Sequence, residues 1–223
     1  MCFSAPASFA AGAVLATAGI ATLRLASRPR EIPFAAIPLL FGIQQLIEGL
    51  IWLSFREASP LHNPPLTFAY SLFSHVLWPI YVPFAVRLLE TVSWRRQALV
   101  AMQVAGIAVG LYLLYFLVQD PITSRVLGQH IVYESPHFYI GVVMAFYLSA
   151  TCVSSMLSSH RIIRLFGALS LATFLAAYAI HAATLVSVWC FFAAILSFIV
   201  YAYFRGEHRA NRLRQPSTNA SVS

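Results

Sequence analysis

One carboxylate in this sequence stands where a carboxylate is expensive. Glu48 lies inside the apolar run FGIQQLIEGLIW, with Gln44 and Trp52 four residues to either side and Gln45 adjoining. At helical spacing Gln44, Glu48 and Trp52 share one face. A charged group at the centre of a membrane helix costs about 2.5–3.5 kcal/mol on insertion scales, which makes it a functional candidate by default. A second apolar run, YSLFSHVLWPIYVPFA, carries His75, with Ser71 on its face and Ser74 and Trp78 beside it. Pro79 follows four residues later. It has no N–H for the His75 carbonyl, and Pro83 repeats the defect one turn on. As consecutive antiparallel helices, these runs would set Glu48 and His75 at the same depth, within reach of each other.

Other groups fall at that level. Trp189 and Cys190 occupy a late apolar run, where Thr184, Ser187 and Cys190 share a face. His137 opens another run just after Pro136. Cys2, once Met1 is removed, would offer both an amine and a thiolate. Imidazole, thiolate and carboxylate are ligands of zinc, copper or iron. Cys2, Glu48, His75 and Cys190 therefore form a candidate transition-metal set, with Glu48 as base and His75 as ligand or acid if the site is catalytic. Gln44, Gln45, Trp52, Ser71, Trp78, His137 and Trp189 are candidates for binding a ligand or supporting the site. These ligands are spread over five segments and match no compact motif such as HExxH. The competing reading is packing: a Glu48–His75 hydrogen bond that fixes helix register, a Cys190 that fills space, and a solvated His62 and His181.

The elements that must position these groups follow from composition. Of 223 residues, 60% are hydrophobic and 9% charged, with mean hydropathy +0.76. Soluble domains carry about 25% charged residues, so a soluble, disordered or fibrous chain is excluded. Seven apolar runs, 5–26, 33–55, 66–89, 97–118, 137–157, 162–181 and 183–204, each approach the ~20 residues that cross a bilayer. The fold class expected is an all-α integral membrane protein of seven transmembrane helices. The boundary between the last two runs is the least marked, with a turn expected at 181–183. All 14 basic residues are Arg. Twelve follow runs 1, 3, 5 and 7; Arg56 and Arg125 lie on the opposite side. The positive-inside rule then puts the N-terminus outside and the C-terminus in the cytoplasm. The first run has no basic segment before it and reads as an anchor rather than a cleaved signal.

The absence of Lys excludes a retinal Schiff base and pyridoxal phosphate. The net charge of +7 belongs to the Arg-rich loops, not to nucleic acid binding. Three cysteines cannot build a disulfide framework. The segment between runs 4 and 5, QDPITSRVLGQHIVYESP, suits a short hairpin or interfacial piece capping the outer mouth, with Arg125, His130, Tyr133 and Glu134 toward the site. Residues 205–223 read as a disordered polar tail.

The segments MCFSAPASF, FGIQQLIEGLIW, SHVLWPIYVPFA, SPHFY and VSVWCFFAA resemble a family of small bacterial polytopic membrane proteins of unknown function that begin MCFSA. The likeness runs to about Phe204. It implies a seven-helix architecture in a bacterial inner membrane and no particular chemistry. It places Cys2, Gln44, Gln45, Glu48, His75, Trp78, Pro79, His137, Trp189 and Cys190 inside the family's motifs, and leaves His181 outside. Three roles follow as expectations. The first is an outward-facing intramembrane site for a metal ion or small ligand, with a metal-dependent membrane enzyme as one form. The second is a transporter or proton-coupled permease that uses Glu48 and His75 as a relay. The third is a sensor or accessory subunit of a membrane complex. Expected partners are the bilayer, a small ligand, and a second copy or another membrane protein.

Overall fold

The computed structural model describes residues 4–55, 62–181 and 184–214. Seven helical rods follow one another: α1 (Ala5–Leu25), α2 (Pro29–Ser54), α3 (Asn63–Leu89), α4 (Ser93–Gln119), α5 (Gly141–Met156), α6 (Arg161–His181) and α7 (Leu185–Leu196 continued by Phe198–Arg214). Among the described residues, six helices are long and apolar enough to cross a membrane, and α5 is shorter. The chain is thus predominantly helical, as a multi-pass membrane protein would be. Its surface agrees. Val142, Ile180 and Tyr115 are at least 60% exposed, while Gln44, Gln45 and Glu48 are fully buried. Apolar groups face outward and polar ones inward, the reverse of a soluble bundle.

Element ends differ from the sequence reading at several places: α2, α3 and α4 begin three or four residues before the expected 33, 66 and 97. α5 begins at Gly141 rather than 137, because 136–139 form turns after Pro136. α7 runs on as helix to Arg214, well past the expected end at 204. The stretch RGEHRANRLR contains no proline and is rich in good helix formers, so nothing stops the helix where apolarity ends. The turn expected at 181–183 falls between α6 and α7, and residues 182–183 lie outside the described residues, as do Cys2 and 215–223.

Consecutive helices pack antiparallel. Along α1 and α2, Gly12 meets Leu46 and Gly42 meets Ala16 so closely that a Cβ on either would fall under 3.0 Å from the facing helix. Small residues here let the two backbones touch. Between α4 and α5 stands an antiparallel hairpin, β1 (Thr123–Leu127) and β2 (His130–Glu134), with Thr123 opposite Glu134 and Leu127 opposite His130. Gly128 takes φ 61°, as the first position of a two-residue II′ turn requires. The hairpin closes one end of the bundle, the hairpin end. It is tied down by a shared network: Asn63 Nδ2 donates to Ser54 Oγ (2.9 Å), Thr67 Oγ1 meets Asn63 Oδ1 (3.2 Å) and Ser124 Oγ (2.7 Å), and Ser124 Oγ donates to Asn63 Oδ1 (3.0 Å).

At the other end, the arginine end, Glu90 joins two loops. Its carboxylate accepts from the N–H groups of Thr91 (3.0 Å), Val92 (2.9 Å) and Ser159 (2.6 Å). Arg95 donates to the last carbonyls of α5, Leu157 (3.1 Å) and Ser158 (2.8 Å). Burial pushes the Glu90 carboxyl upward, but the backbone donors outweigh it and hold its pKa below the ordinary value. A carboxyl depressed on folding stabilises above its unfolded pKa and loses that contribution as pH falls through its folded value. Detergent-solubilised protein should therefore lose thermal stability on acidification below about pH 4. Glu90→Gln should flatten that dependence and cost about 1–2 kcal/mol at neutral pH, measured by thermal unfolding.

Candidate functional site

The site is organised by a backbone defect. Residues Leu72–Leu77 of α3 form a π-turn, in which the Trp78 N–H reaches back to the Phe73 carbonyl and passes over Ser74. Pro79 has no N–H to offer the Ser74 carbonyl in its place. That carbonyl is instead taken by the Tyr147 hydroxyl of α5. One turn on, the Pro79 carbonyl, which Pro83 cannot serve, points at Gly106 of α4, where a Cβ would lie 1.9 Å from the oxygen. The Ile80 carbonyl accepts from Gln103 Nε2 at 2.9 Å. The proline-broken stretch is thus held by α4 and α5 rather than by its own helix.

The π-turn runs through the stretch in which Ser71 and His75 were expected to share a face. His75 Nδ1 lies 2.8 Å from Ser74 Oγ, and the ring also bonds the Ser71 backbone. The ring packs edge-on against Phe138, with centroids 5.0 Å apart. Glu48 turns to α7, where Ser187 Oγ donates to its Oε1 at 2.8 Å. The Cys190 thiol faces Gln44, Glu48 and Tyr70. Gln44 Oε1 accepts from Trp78 Nε1 at 2.8 Å, and the Trp78 indole stacks on Phe41. Helices α2, α3 and α7 therefore do converge on one polar cluster, but the direct Glu48–His75 hydrogen bond is not made. Among the described residues, His75 Nε2 has no hydrogen-bond partner.

Of the expected metal set, the three members that fall on described residues, Glu48, His75 and Cys190, are not brought together as a group. Among the described residues, no group of three or more His, Cys, Asp or Glu side chains comes together to hold a metal ion. Cys190 and Glu48 face one another, His75 is held by Ser74, and Cys2 lies outside the described residues. Trp189 is committed to packing: its Nε1 donates to the Ser170 carbonyl of α6 at 2.9 Å, and its ring meets Tyr147 and Phe174 edge-on. His137 stacks on Phe116, centroids 3.7 Å apart. In the hairpin, Arg125 and Glu134 pair with each other at the surface (2.7 Å), whereas Tyr133 turns inward and stacks on Tyr70 at 4.5 Å.

What sets the cluster apart is unmet hydrogen-bonding capacity. Gln45 Nε2 and Oε1, Ser71 Oγ, Trp52 Nε1 and His75 Nε2 are all buried and meet no partner among the described residues. Each such group costs about 1–3 kcal/mol when left unpaired. Room nearby is small. A crevice of about 10 Å³ runs from His75 past Asp120 and Ser135 to His137 at the hairpin end. A cavity of about 30 Å³ lies on the opposite side of Trp78, lined by Tyr147, Cys152, Trp189 and Cys190. A water needs ~10–15 Å³, so these spaces admit one or two waters or a molecule of a few atoms.

Tyr147 and Ser187 carry contacts that a search for acids, His and Cys passes over. Ser187 sits on the face with Cys190, which is its only signal; Tyr147 is one aromatic in an apolar run and has none.

Residues 1–215 match a family of unknown function, DUF6629. The chain belongs to this family. No curated protein and no solved structure matches it.

The packing of α4 against the proline-broken stretch makes a sharp prediction. Gly106→Ala must displace the Pro79 carbonyl and should cost about 1–3 kcal/mol by thermal unfolding. Gly141→Ala, with nothing within 4 Å of the added methyl, should be neutral or slightly stabilising.

Proposed function

We propose that this family member is a polytopic protein of the bacterial cytoplasmic membrane that binds a small polar molecule between α2, α3 and α7. Its N-terminus lies outside and its arginine end faces the cytoplasm. The twelve-to-two arginine split supports that orientation. All seven helices span, with α5 (16 residues by its ends, Gly141–Met156) crossing a bundle narrowed by the hairpin above it. The hairpin end is then the outer mouth.

The observation that supports the reading is the buried Gln45 amide, which at both ends meets no partner among the described residues, together with Ser71 Oγ and His75 Nε2. A molecule with both donors and acceptors satisfies this mixture; a purely anionic or apolar one does not. Glu48, oriented by Ser187, supplies a proton donor or acceptor beside it. The scale of the spaces favours a compound of a few heavy atoms over a drug-sized ligand, whose pockets run to ~300–1,000 Å³.

A second reading rests on the crevice that joins His75 to Asp120 and His137. These groups form a titratable path from the hairpin end to a buried imidazole, as a proton relay requires. Continuation to the arginine end is poor. Thr151 Oγ1 is turned back onto the Tyr147 carbonyl (2.8 Å), and Ser149 and Ser154 likewise bond carbonyls of their own helix, so full translocation is the weaker form.

Extraction tests the first reading. Protein purified from its own membranes is denatured, and the released small molecules are compared by mass spectrometry with those from Gln45→Leu and His75→Phe. The expected result is a polar compound recovered near stoichiometry from the wild type and at least about tenfold depleted in both variants, the effect of losing one to two hydrogen bonds. Equal recovery from all three, or none from folded wild type, overturns it.

A further inference from the structure

A groove on the outside of the bundle, away from the polar cluster, runs between α1 and α7. Its floor and one wall are Ala13, Val14, Thr17, Ala18 and Ala21; Phe198 and Tyr201 form the other wall. It is open to the outside along its length and offers about 480 Å³. Thr17 Oγ1 is spent on the Ala13 carbonyl (2.8 Å), so the groove presents an apolar lining.

Both walls end in arginine. Arg24 lies three residues after Ala21, and Arg205 four after Tyr201, so each continues its helix's groove-facing stripe by one turn. Both are exposed, and among the described residues neither enters an ion pair, the one pair being Arg125–Glu134. Of the acids at this end, Glu31 is occupied by the N–H groups of Ser27 (2.8 Å) and Arg28 (3.2 Å). The residues around the groove mouth, Arg24, Arg28, Arg205 and Arg209 against Glu207, leave an excess of positive charge.

Length identifies the occupant. From Ala13 to Ala21 the lining stretch of α1 rises about 12 Å, and Arg24 stands about 16 Å along the helix from Ala13. One leaflet of a bilayer's hydrocarbon is about 15 Å, half of ~30 Å. The apolar groove together with the arginines beyond its end therefore matches a single lipid in length and charge. We propose that it binds an anionic glycerophospholipid, with an acyl chain against Ala18 and Tyr201 and the phosphate held by Arg24 and Arg205. This rests on the membrane placement above and is independent of the polar cluster, so failure of either leaves the other standing.

Native mass spectrometry of the full chain in detergent tests it, with added dioleoyl phosphatidylglycerol, dioleoyl phosphatidylcholine or inorganic phosphate. The wild type should retain phosphatidylglycerol about tenfold better than phosphatidylcholine. The surface double variant Arg24→Gln/Arg205→Gln should lose that preference, and Ala18→Phe, which fills the groove, should lose both lipids. Thermal unfolding shows that each variant is folded. Equal retention of the two lipids by the wild type overturns the proposal, as does a preference that survives the double variant. Retention of inorganic phosphate unaffected by Ala18→Phe would show an anion site without a lipid. A dimer split by Ala18→Phe would show that the groove seats a second copy; either result also overturns it.

Discussion

The missing N–H of Pro79 is the constraint on which the central half of this bundle depends. A helix can forgo one hydrogen bond, but the π-turn at Leu72–Leu77 adds a second displaced partner just before it. The freed carbonyls then become sockets for other helices. Ser74 receives Tyr147, Pro79 requires Gly106, and Ile80 receives Gln103. Helices α3, α4 and α5 are consequently fastened by backbone acceptors rather than by shape alone. Without an apolar driving force between helices in lipid, such fastening is a main source of specificity.

The same defect decides what His75 can do. Within the π-turn its Nδ1 is fixed by Ser74, and among the described residues its Nε2 meets no partner. An imidazole with one nitrogen tethered has a fixed orientation. Glu48 is oriented separately, from α7. The two ionisable groups are thereby held by different elements rather than by one another.

Much of this was legible in the sequence, for a definite reason. Glu48, Gln44 and His75 are polar residues in runs that tolerate none, and hydropathy alone exposes them. The Trp78–Gln44 bond joins two residues singled out by spacing. The apolar–polar mixture in RVLGQHIVYE left a hairpin and an interfacial piece both open, and the structure has the hairpin. What escaped depends on longer-range geometry. The metal set was drawn from residue type and depth alone, and among the described residues Glu48 is bonded from α7 and His75 from its own helix. Tyr147 had no local mark because the carbonyl it serves belongs to another helix. The end of α7 was misjudged because loss of apolarity was read as loss of helix, although the two are governed by different terms.

The network of Asn63, Ser54, Thr67 and Ser124 beneath the hairpin bears on time rather than on affinity. It links the end of α2, the start of α3 and β1 through one shared amide, and the Tyr70–Tyr133 stack adds a further contact beneath β2. These bonds share partners, so lifting the hairpin breaks several at once and individual fraying gains little. Parting the hairpin from the helix ends beneath it is then a rare, all-or-none event on the timescale of local unfolding, not a gradual loosening.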